Sequence, residues 1–163
     1  MIPVRAVALD VDGVLTDGGV WWGPSGEEWK RFSFRDIMGV SLARKAGVIV
    51  ALISAEDGPL VDRFAAKMGI TDVAKGCKDK ADGLRRFADR HQLALSDVCF
   101  MGDDVNDLPA MELAGVAAAP ADAHPAVVRR AAFVATRGGG NGAVRELLDA
   151  VVAARQPATL GAE

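Results

Sequence analysis

A short apolar run that ends in two carboxylates constrains the fold of this chain most strongly. Residues 6–9 are apolar and lead directly into Asp10, and Val11 separates Asp10 from Asp12. Such a run is typical of a buried parallel strand, and open α/β sheets bind ligands at the carboxyl ends of such strands. At about 4 Å two carboxylates repel by roughly 4 kcal/mol at an effective dielectric constant near 20. A proton, a basic group or a divalent cation must relieve the pair, unless the segment is a simple strand-end turn.

A second apolar run, at residues 98–101, precedes an even more acidic segment. Asp103, Asp104 and Asp107 fall within five residues of one another. Carboxylate oxygens on short side chains at a strand end suit Mg²⁺, which binds one or two carboxylates and keeps several waters. An Asp-rich turn that caps the next helix is the alternative. Together with the pair at Asp10, the segment favours a magnesium site.

Strands and helices alternate along the rest of the chain. Apolar runs predict further strands at residues 48–53, 115–120 and 132–135, and residues 69–73 predict a turn into another short strand. Helical patterns cover residues 36–46, 59–68, about 78–91, 123–131 and 143–154. Short loops between such elements predict an α/β fold with a doubly wound parallel sheet. We expect a single domain over residues 1–156 and a disordered tail over residues 157–163.

Composition excludes several classes of protein. Among the 163 residues, acidic groups outnumber basic ones to give a net charge of −3, so no nucleic-acid partner is expected. No apolar run reaches 18 residues, so no membrane span is expected, and no signal peptide is recognisable. Cys77 and Cys99 lack the spacing of a metal site. Two idle thiols favour a reducing cytoplasm over a disulfide.

Residues from about 17 to 34 interrupt the α/β rhythm. This segment contains all three tryptophans, Trp21, Trp22 and Trp29, and a strong turn signal at residues 23–26. It predicts a β-hairpin. A hairpin is marginal by itself and needs its apolar face covered, either by its own domain or by another copy of the chain. The residues alone leave both interpretations open.

Two polar residues stand at the boundaries of predicted elements. Ser54 closes the strand at residues 48–53, where a hydroxyl can cap the next helix or bind a phosphate. Lys80 stands at a helix start, where a cation opposes the helix dipole. Lys78 is the nearby rival to Lys80, and a solvated lysine is the simpler interpretation of either residue.

A glycine-rich run precedes the last predicted helix. Residues 138–142 contain four glycines and are flanked by Arg137 and Arg145. A run of this kind before a helix can bind an anion, or it can be a plain flexible loop. The two arginines favour the anion site somewhat.

Four of these segments together resemble the haloacid dehalogenase superfamily. Residues 10–16 are similar to its first motif, D-x-D-G-x-x-[TS], and residues 102–107 to its fourth, G-D-D-x-x-D. Ser54 matches the second motif and Lys80 the third. No cap domain is inserted after either of the first two motifs. The resemblance implies phosphoryl transfer through an aspartyl-phosphate.

The resemblance also implies roles for the matched residues. Asp10 would be the nucleophile, and Asp12 would protonate the leaving group and then activate water. Lys80 and backbone donors near Ser54 and Ala55 would neutralise the phosphoryl group. The implied Mg²⁺ ligands are Asp10, Asp12 through its backbone carbonyl, and Asp103, with support from Asp104 and Asp107.

A closer resemblance covers about residues 4–152. The segments that carry it are residues 17–18, 26–30, 34–36, 121–125 and 139–146. They look like the capless 3-deoxy-D-manno-octulosonate 8-phosphate phosphatases, which act on a phosphorylated sugar acid. The resemblance implies a homotetramer whose hairpins meet at its centre. It also implies that the glycine-rich stretch approaches a neighbour's site, so that adjacent subunits replace the missing cap.

One departure from that family bears on the substrate. Ala55 and Glu56 stand where these phosphatases usually carry Gly-Arg. A Glu at this position resembles relatives that act on nine-carbon keto sugar acids, and Lys67 is then a candidate partner of the substrate carboxylate or a solvated lysine. We expect a nonulosonate 9-phosphate substrate, with the octulosonate 8-phosphate close behind. The predicted substrate-binding set is Ser54, Ala55, Glu56, Lys67, Arg137 and Arg145.

Two non-enzymatic functions compete with this prediction. A receiver-like domain also accepts a phosphoryl group on an Asp beside Mg²⁺, but the extra carboxylate of Asp12 argues against a stable phospho-acceptor. A regulatory subunit of a sugar-activating enzyme is the other alternative, and the filled catalytic positions argue against it. A mutase is disfavoured because no cap is present.

Overall fold

Strands and helices alternate through residues 2–155, the part of the chain that the computed structural model describes. The strands are β1 (Ala6–Leu9), β2 (Trp21–Trp22), β3 (Glu28–Trp29), β4 (Ile49–Ile53), β5 (Asp72–Ala74), β6 (Val98–Met101), β7 (Val116–Ala119) and β8 (Phe133–Val134). The helices are α1 (Phe34–Lys45), α2 (Pro59–Met68), α3 (Lys80–Arg90), α4 (Leu108–Leu113), α5 (Pro125–Arg130) and α6 (Ala143–Arg155). The predicted tail at residues 157–163 lies outside the described residues.

Six of the strands form one parallel sheet in the order β5-β4-β1-β6-β7-β8. β1 lies between β4 and β6, and Leu9 pairs with both Leu52 and Met101. The carboxyl ends of these three strands therefore meet at one edge of the sheet. The predicted doubly wound α/β fold is confirmed.

Alternating side chains of the central strand supply two apolar layers. Val7 and Leu9 pack into the layer beneath α1, α2 and α6, whereas Ala6 and Ala8 pack into the layer beneath α3, α4 and α5. This is the two-residue period of a strand buried on both faces. Each fully buried large apolar side chain contributes about 1.5–3 kcal/mol, so the centre of the sheet is a rigid base for the groups at its edge.

Some helices begin at residues other than those predicted from hydrophobic periodicity, because capping hydrogen bonds fix their first turns. α1 begins two residues earlier than predicted because the Ser33 hydroxyl accepts a hydrogen bond from the Arg35 N–H. α5 is shorter than predicted, since His124 Nδ1 accepts from the Ala126 N–H and Pro125 occupies the first turn. α3 begins at Lys80, with Asp79 as its cap.

The aromatic segment forms an antiparallel pair of two-residue strands, β2 and β3. Trp21 pairs with Trp29 across it, and Trp22 pairs with Glu28. The three tryptophan side chains are 71%, 75% and 55% exposed for Trp21, Trp22 and Trp29. The hairpin therefore leaves its three tryptophans largely exposed on the surface of its own chain.

The cysteines and the helices show whether residues 2–155 contain a disulfide or a membrane-spanning segment. Cys77 and Cys99 are free and buried. None of the helices within residues 2–155 has the length and apolar character that crossing a bilayer requires.

Candidate active site

A cavity of about 280 Å³ lies at the edge where β1, β4 and β6 end. The residues that line it come from all four motif segments and from the loop after the first: Asp10, Asp12, Gly18, Ser54, Ala55, Glu56, Lys80, Asp103, Asp104 and Asn106. Residues far apart in sequence thus converge because the parallel strands that carry them are neighbours.

The loop after β1 is held in shape by Thr16. Its buried hydroxyl oxygen accepts hydrogen bonds from the N–H groups of Gly13 and Gly18, both at 3.2 Å. Gly13 has a φ of 86°, and a Cβ there would overlap the Asp103 carboxylate. The loop therefore needs glycine at this position to bring Asp10 and Asp103 together.

Asp10, Asp103 and Asp107 form an acidic cluster whose selected oxygens all lie within 4.8 Å of one another. Burial and the charge of Asp107 raise the pKa of Asp10 to about 6, despite the opposing effect of Lys80. Burial and the charges of Asp10 and Asp107 raise the pKa of Asp103 to about 8. The repulsion that Lys80 leaves between these hard oxygen ligands fits a divalent cation such as Mg²⁺.

Lys80 bridges two members of this acidic cluster. Its Nζ lies 2.9 Å from Asp10 Oδ1 and 2.6 Å from Asp107 Oδ1, and its side chain is 1% exposed. Burial acts to lower the pKa of Lys80, but the two carboxylates outweigh burial and raise it, so the ammonium stays charged. Lys78 is exposed on the protein surface, so Lys80 is the lysine that the fold brings to the site.

The other carboxylates of the fourth motif shape its turn. Asp107 Oδ2 accepts from the N–H groups of Asp103 (2.9 Å) and Asp104 (3.2 Å). Asp104 lines the cavity, and its Oδ1 accepts from the Val105 N–H at 2.7 Å. Asp107 thus fixes the backbone of Asp103 while it holds Lys80.

Asp12 is paired with a residue that motif reasoning missed. Its Oδ1 lies 2.7 Å from the Nζ of Lys30, whose side chain is 9% exposed and which also lies 3.4 Å from Glu28 Oε1. Asp12 Oδ2 is buried and finds no hydrogen-bond partner within residues 2–155. The available signal was the place of Lys30 at the end of residues 26–30, one of the segments that carry the closer resemblance.

Ser54 and the two residues after it form the cavity wall on the β4 side. The Ser54 hydroxyl accepts from the Glu56 N–H at 3.1 Å, whereas the cap residue of α2 is Gly58. Ser54 therefore shapes the turn that presents Ala55 and Glu56, and it does not cap the helix. Glu56 is exposed at the mouth of the cavity.

Three of the residues predicted to bind substrate lie outside this cavity of their own chain. The Nζ of Lys67 lies 5.8 Å from the centre of the Phe34 ring. Arg137 Nε lies 3.7 Å from Glu146 Oε1, and Arg145 donates to Asp149 at 2.8 Å. A single chain therefore does not bring Lys67, Arg137 or Arg145 to Asp10.

The glycine-rich run packs against the loop after β1. The Gly139 N–H donates to Asp122 Oδ1 at 2.9 Å, and the Gly140 N–H donates to the Val14 carbonyl at 2.9 Å. A Cβ on Gly139 would overlap the carbonyl oxygen of Gly13. These N–H groups are engaged by protein acceptors, so they are not available to an anion.

Comparisons with known proteins agree with this geometry. Residues 30–147 match the family described as haloacid dehalogenase-like hydrolase. The 3-deoxy-D-manno-octulosonate 8-phosphate phosphatase KdsC of Escherichia coli K12 is 39% identical over 152 residues, which are 93% of this chain and 81% of that protein.

Solved structures give the same result. The 3-deoxy-D-manno-octulosonate 8-phosphate phosphatase from Yersinia pestis superimposes with a TM-score of 0.92 at 35% identity, over 94% of this chain and 83% of that one. The Moraxella catarrhalis enzyme of the same name, in complex with magnesium ion, phosphate ion and a KDO molecule, gives a TM-score of 0.91 at 31% identity, over 94% and 88% of the two chains. The chain therefore belongs to the haloacid dehalogenase-like hydrolases, within the group that contains the 3-deoxy-D-manno-octulosonate 8-phosphate phosphatases.

Proposed function

We propose that this protein is a Mg²⁺-dependent phosphatase that hydrolyses the phosphate monoester of a keto sugar acid through an aspartyl-phosphate. The observation that carries this proposal is the acidic cluster at the carboxyl ends of three adjacent strands, with Lys80 bridging two of its carboxylates. A phosphoric monoester hydrolase needs a carboxylate nucleophile, a positive environment and an acid–base group together. Asp10, Lys80 and Asp12 all line one cavity.

Mg²⁺ is the cofactor that the acidic cluster fits. Asp10 and Asp103 would hold it with their carboxylates and Asp12 with its backbone carbonyl, and Asp104 and Asp107 would support the site. When bound, Mg²⁺ offsets the negative charge of the nucleophile and of the phosphoryl oxygens. The phosphatase from Moraxella catarrhalis, which contains a magnesium ion, supports this choice.

In the first half-reaction the Asp10 carboxylate attacks phosphorus. A bond forms between an Asp10 oxygen and phosphorus while the bond from phosphorus to the sugar oxygen breaks. The proton of the Asp12 carboxylic acid passes to that leaving oxygen and releases the sugar acid as an alcohol. Lys80 neutralises charge beside Asp10, and backbone donors near Ser54 and Ala55 hold the phosphoryl oxygens.

In the second half-reaction water replaces the aspartate on phosphorus. The Asp12 carboxylate takes a proton from the water while the oxygen of the water forms a bond to phosphorus. The bond between phosphorus and Asp10 breaks, which frees inorganic phosphate and restores the nucleophile. The catalytic residues of this proposal are therefore Asp10, Asp12 and Lys80.

We propose that Glu56 helps to determine which sugar acid the enzyme accepts. It stands exposed at the cavity mouth, where it presents a negative charge to the part of the substrate beyond the phosphate. An Arg at this position would present the opposite charge, so the residue changes which sugar is accepted without changing the phosphoryl chemistry. The proposed substrate is a nonulosonate 9-phosphate, ahead of 3-deoxy-D-manno-octulosonate 8-phosphate.

We also propose that the protein is a single-domain, cytoplasmic homotetramer joined through its hairpins. The exposed tryptophans of the hairpin support a contact between copies, and two free, buried thiols support a reducing compartment. In such an assembly Lys67, Arg137 and Arg145 belong to surfaces that can face a neighbouring subunit's cavity.

A phosphate-release screen over phosphorylated sugar acids tests the function. We expect turnover that requires Mg²⁺, with the nonulosonate 9-phosphate preferred. The Glu56→Arg variant should shift the ratio of the two kcat/KM values toward the octulosonate 8-phosphate by about tenfold or more. Equal or reversed preference in the wild type would defeat the role of Glu56. Absence of phosphate release from every ester would favour the phospho-acceptor or regulatory alternatives.

The Asp10→Asn variant tests the nucleophile. The amide keeps the size of the side chain and cannot form the aspartyl-phosphate, so we expect kcat to fall by at least about a thousandfold. Circular dichroism should show an unchanged fold, since the substitution removes one of three mutually repelling charges. Retained turnover would remove Asp10 from the mechanism.

A further inference from the structure

Lys30 joins the hairpin to one of the residues that line the catalytic cavity, Asp12. Lys30 directly follows β3, whose residues Glu28 and Trp29 are both exposed. The Lys30 side chain is only 9% exposed, and its Nζ lies 2.7 Å from Asp12 Oδ1. A lysine buried to this extent on an otherwise exposed hairpin needs a reason, because its ordering costs rotamer entropy.

The contacts of Asp12 are asymmetric. Oδ1 is held by Lys30, while Oδ2 is buried with no hydrogen-bond partner among the described residues. Asp12 also lines the cavity beside Asp10, so the contact with Lys30 fixes the orientation of a carboxyl group at the catalytic site. Lys30 itself reaches a second carboxylate, Glu28 Oε1, at 3.4 Å, which restricts its Nζ from a second direction.

We propose that Lys30 is a positioning residue that orients the Asp12 carboxyl group for proton transfer, and so makes the hairpin part of the catalytic apparatus. This proposal rests on the proposed function, in which Asp12 serves the leaving oxygen and then the attacking water. Proton transfer needs a distance near hydrogen-bond length, and misplacement by about 1 Å costs about 100-fold in rate. Among residues 2–155, the ion-pair partners of Lys30 are Asp12 and Glu28, and neither belongs to the acidic cluster that is the proposed metal site.

The Lys30→Met variant tests the proposal, because methionine keeps the length of the stem and removes the ammonium. We expect kcat for the sugar-acid phosphate to fall by about 10- to 100-fold with little change in KM. The Lys30→Arg variant, which retains a cation, should recover most of kcat. The matched control is Arg31→Met, because Arg31 pairs with Asn141 and Asp17 instead of Asp12 and should leave kcat near the wild-type value.

The nature of the leaving group separates positioning of Asp12 from a general structural role. Rapid-quench experiments measure the rate of the first half-reaction with two substrates. The sugar-acid phosphate releases an alkoxide that needs a proton, whereas 4-nitrophenyl phosphate releases a leaving group that does not. Lys30→Met should slow the first substrate at least tenfold more than the second. Equal slowing of both substrates would overturn the proposal, and so would wild-type kcat in Lys30→Met.

The activity of the wild-type protein separates a test of the phosphatase function from a test of the role of Lys30. A wild-type protein that hydrolyses no phosphate ester would overturn both, and this is seen before any variant is made. A wild-type protein that is active together with an unaffected Lys30→Met variant would overturn the role of Lys30 alone. Thermal melts of each variant check that the fold is retained, which we expect because neither Lys30 nor Arg31 belongs to the two apolar layers.

Discussion

Asp10 and Asp103 ionise with difficulty because they share a buried site. In the folded chain without metal, burial and neighbouring carboxylates raise both pKa values from 3.8, to about 6 for Asp10 and about 8 for Asp103. A raised carboxyl pKa contributes stability that is fully present below the unfolded value and is lost as the pH rises through the folded value. The metal-free protein should therefore lose the contribution of these two groups between about pH 4 and pH 8.

Mg²⁺ should reverse that loss, and the reversal should depend on pH. Metal binding requires ionised ligands, so protons compete with Mg²⁺ at pH 5.5 and hardly at pH 8.5. We expect the increase in Tm on adding Mg²⁺ to a chelator-treated sample to be several degrees larger at pH 8.5 than at pH 5.5. Differential scanning calorimetry at the two pH values measures it.

The Asp103→Asn variant is the control for this prediction. It removes one proposed ligand and one repelling charge, so its metal-free Tm should be no lower than that of the wild type and its response to Mg²⁺ should largely disappear. An equal Mg²⁺ response at both pH values in the wild type would contradict the assignment of the acidic cluster as the metal site.

At the scale of elements, the start of α6 is fixed by a side chain of α1. Asp36 is buried, and its two carboxyl oxygens accept hydrogen bonds from the N–H groups of Gly142 (3.1 Å) and Arg145 (2.9 Å). N–H groups in the first turn of a helix have no partner within the helix. Asp36 thus caps α6 from a distant part of the sequence and ties the end of the glycine-rich run to α1.

The Asp36→Ala variant should destabilise the protein by about 1–2 kcal/mol, the usual cost of losing a cap. Urea denaturation measures the change in the free energy of unfolding. Asp36→Asn keeps one carbonyl acceptor and should lose less, and Asp149→Ala, which removes an exposed acid from the same helix, should cost less still. Equal stability of Asp36→Ala and the wild type would mean that α6 does not depend on this cap.

The elements that the sequence predicted well are those whose signals are local. Apolar runs located the sheet strands, and the residues that follow them, Asp10, Ser54 and Asp103, came together because adjacent parallel strands end at one edge. Partners distant in sequence gave no such signal. Asp36 meets α6 more than a hundred residues later, and Lys30 reaches Asp12 only because the hairpin folds back. Neither contact follows from spacing or periodicity.

At the scale of the whole molecule, a single chain leaves several apolar side chains exposed on its surface. Lys67 lines an apolar groove of about 250 Å³ together with Trp29 and Phe64, away from its own catalytic cavity. On α1, Phe34, Met38 and Leu42 are 77%, 51% and 39% exposed, and their spacing of four residues places them on one face of the helix. Exposed apolar surface of this extent is typical of an interface between proteins, which supports the proposed assembly.

Replacing the hairpin tryptophans tests that assembly directly. Tryptophan at an interface often contributes 2 kcal/mol or more per residue, so a Trp21→Ser, Trp29→Ser double variant should raise the dissociation constant by at least about a hundredfold. We expect the wild type to have four times the mass of one chain by sedimentation equilibrium, and the variant to dissociate at micromolar concentration. Val134→Thr, which changes an exposed apolar residue far along the chain on β8, is the matched control and should keep the wild-type mass.

A wild type that is monomeric at such concentrations would refute the tetramer. If the tetramer forms, the variant should also lose turnover, because the hairpin that carries Lys30 to Asp12 would no longer be held by its neighbours.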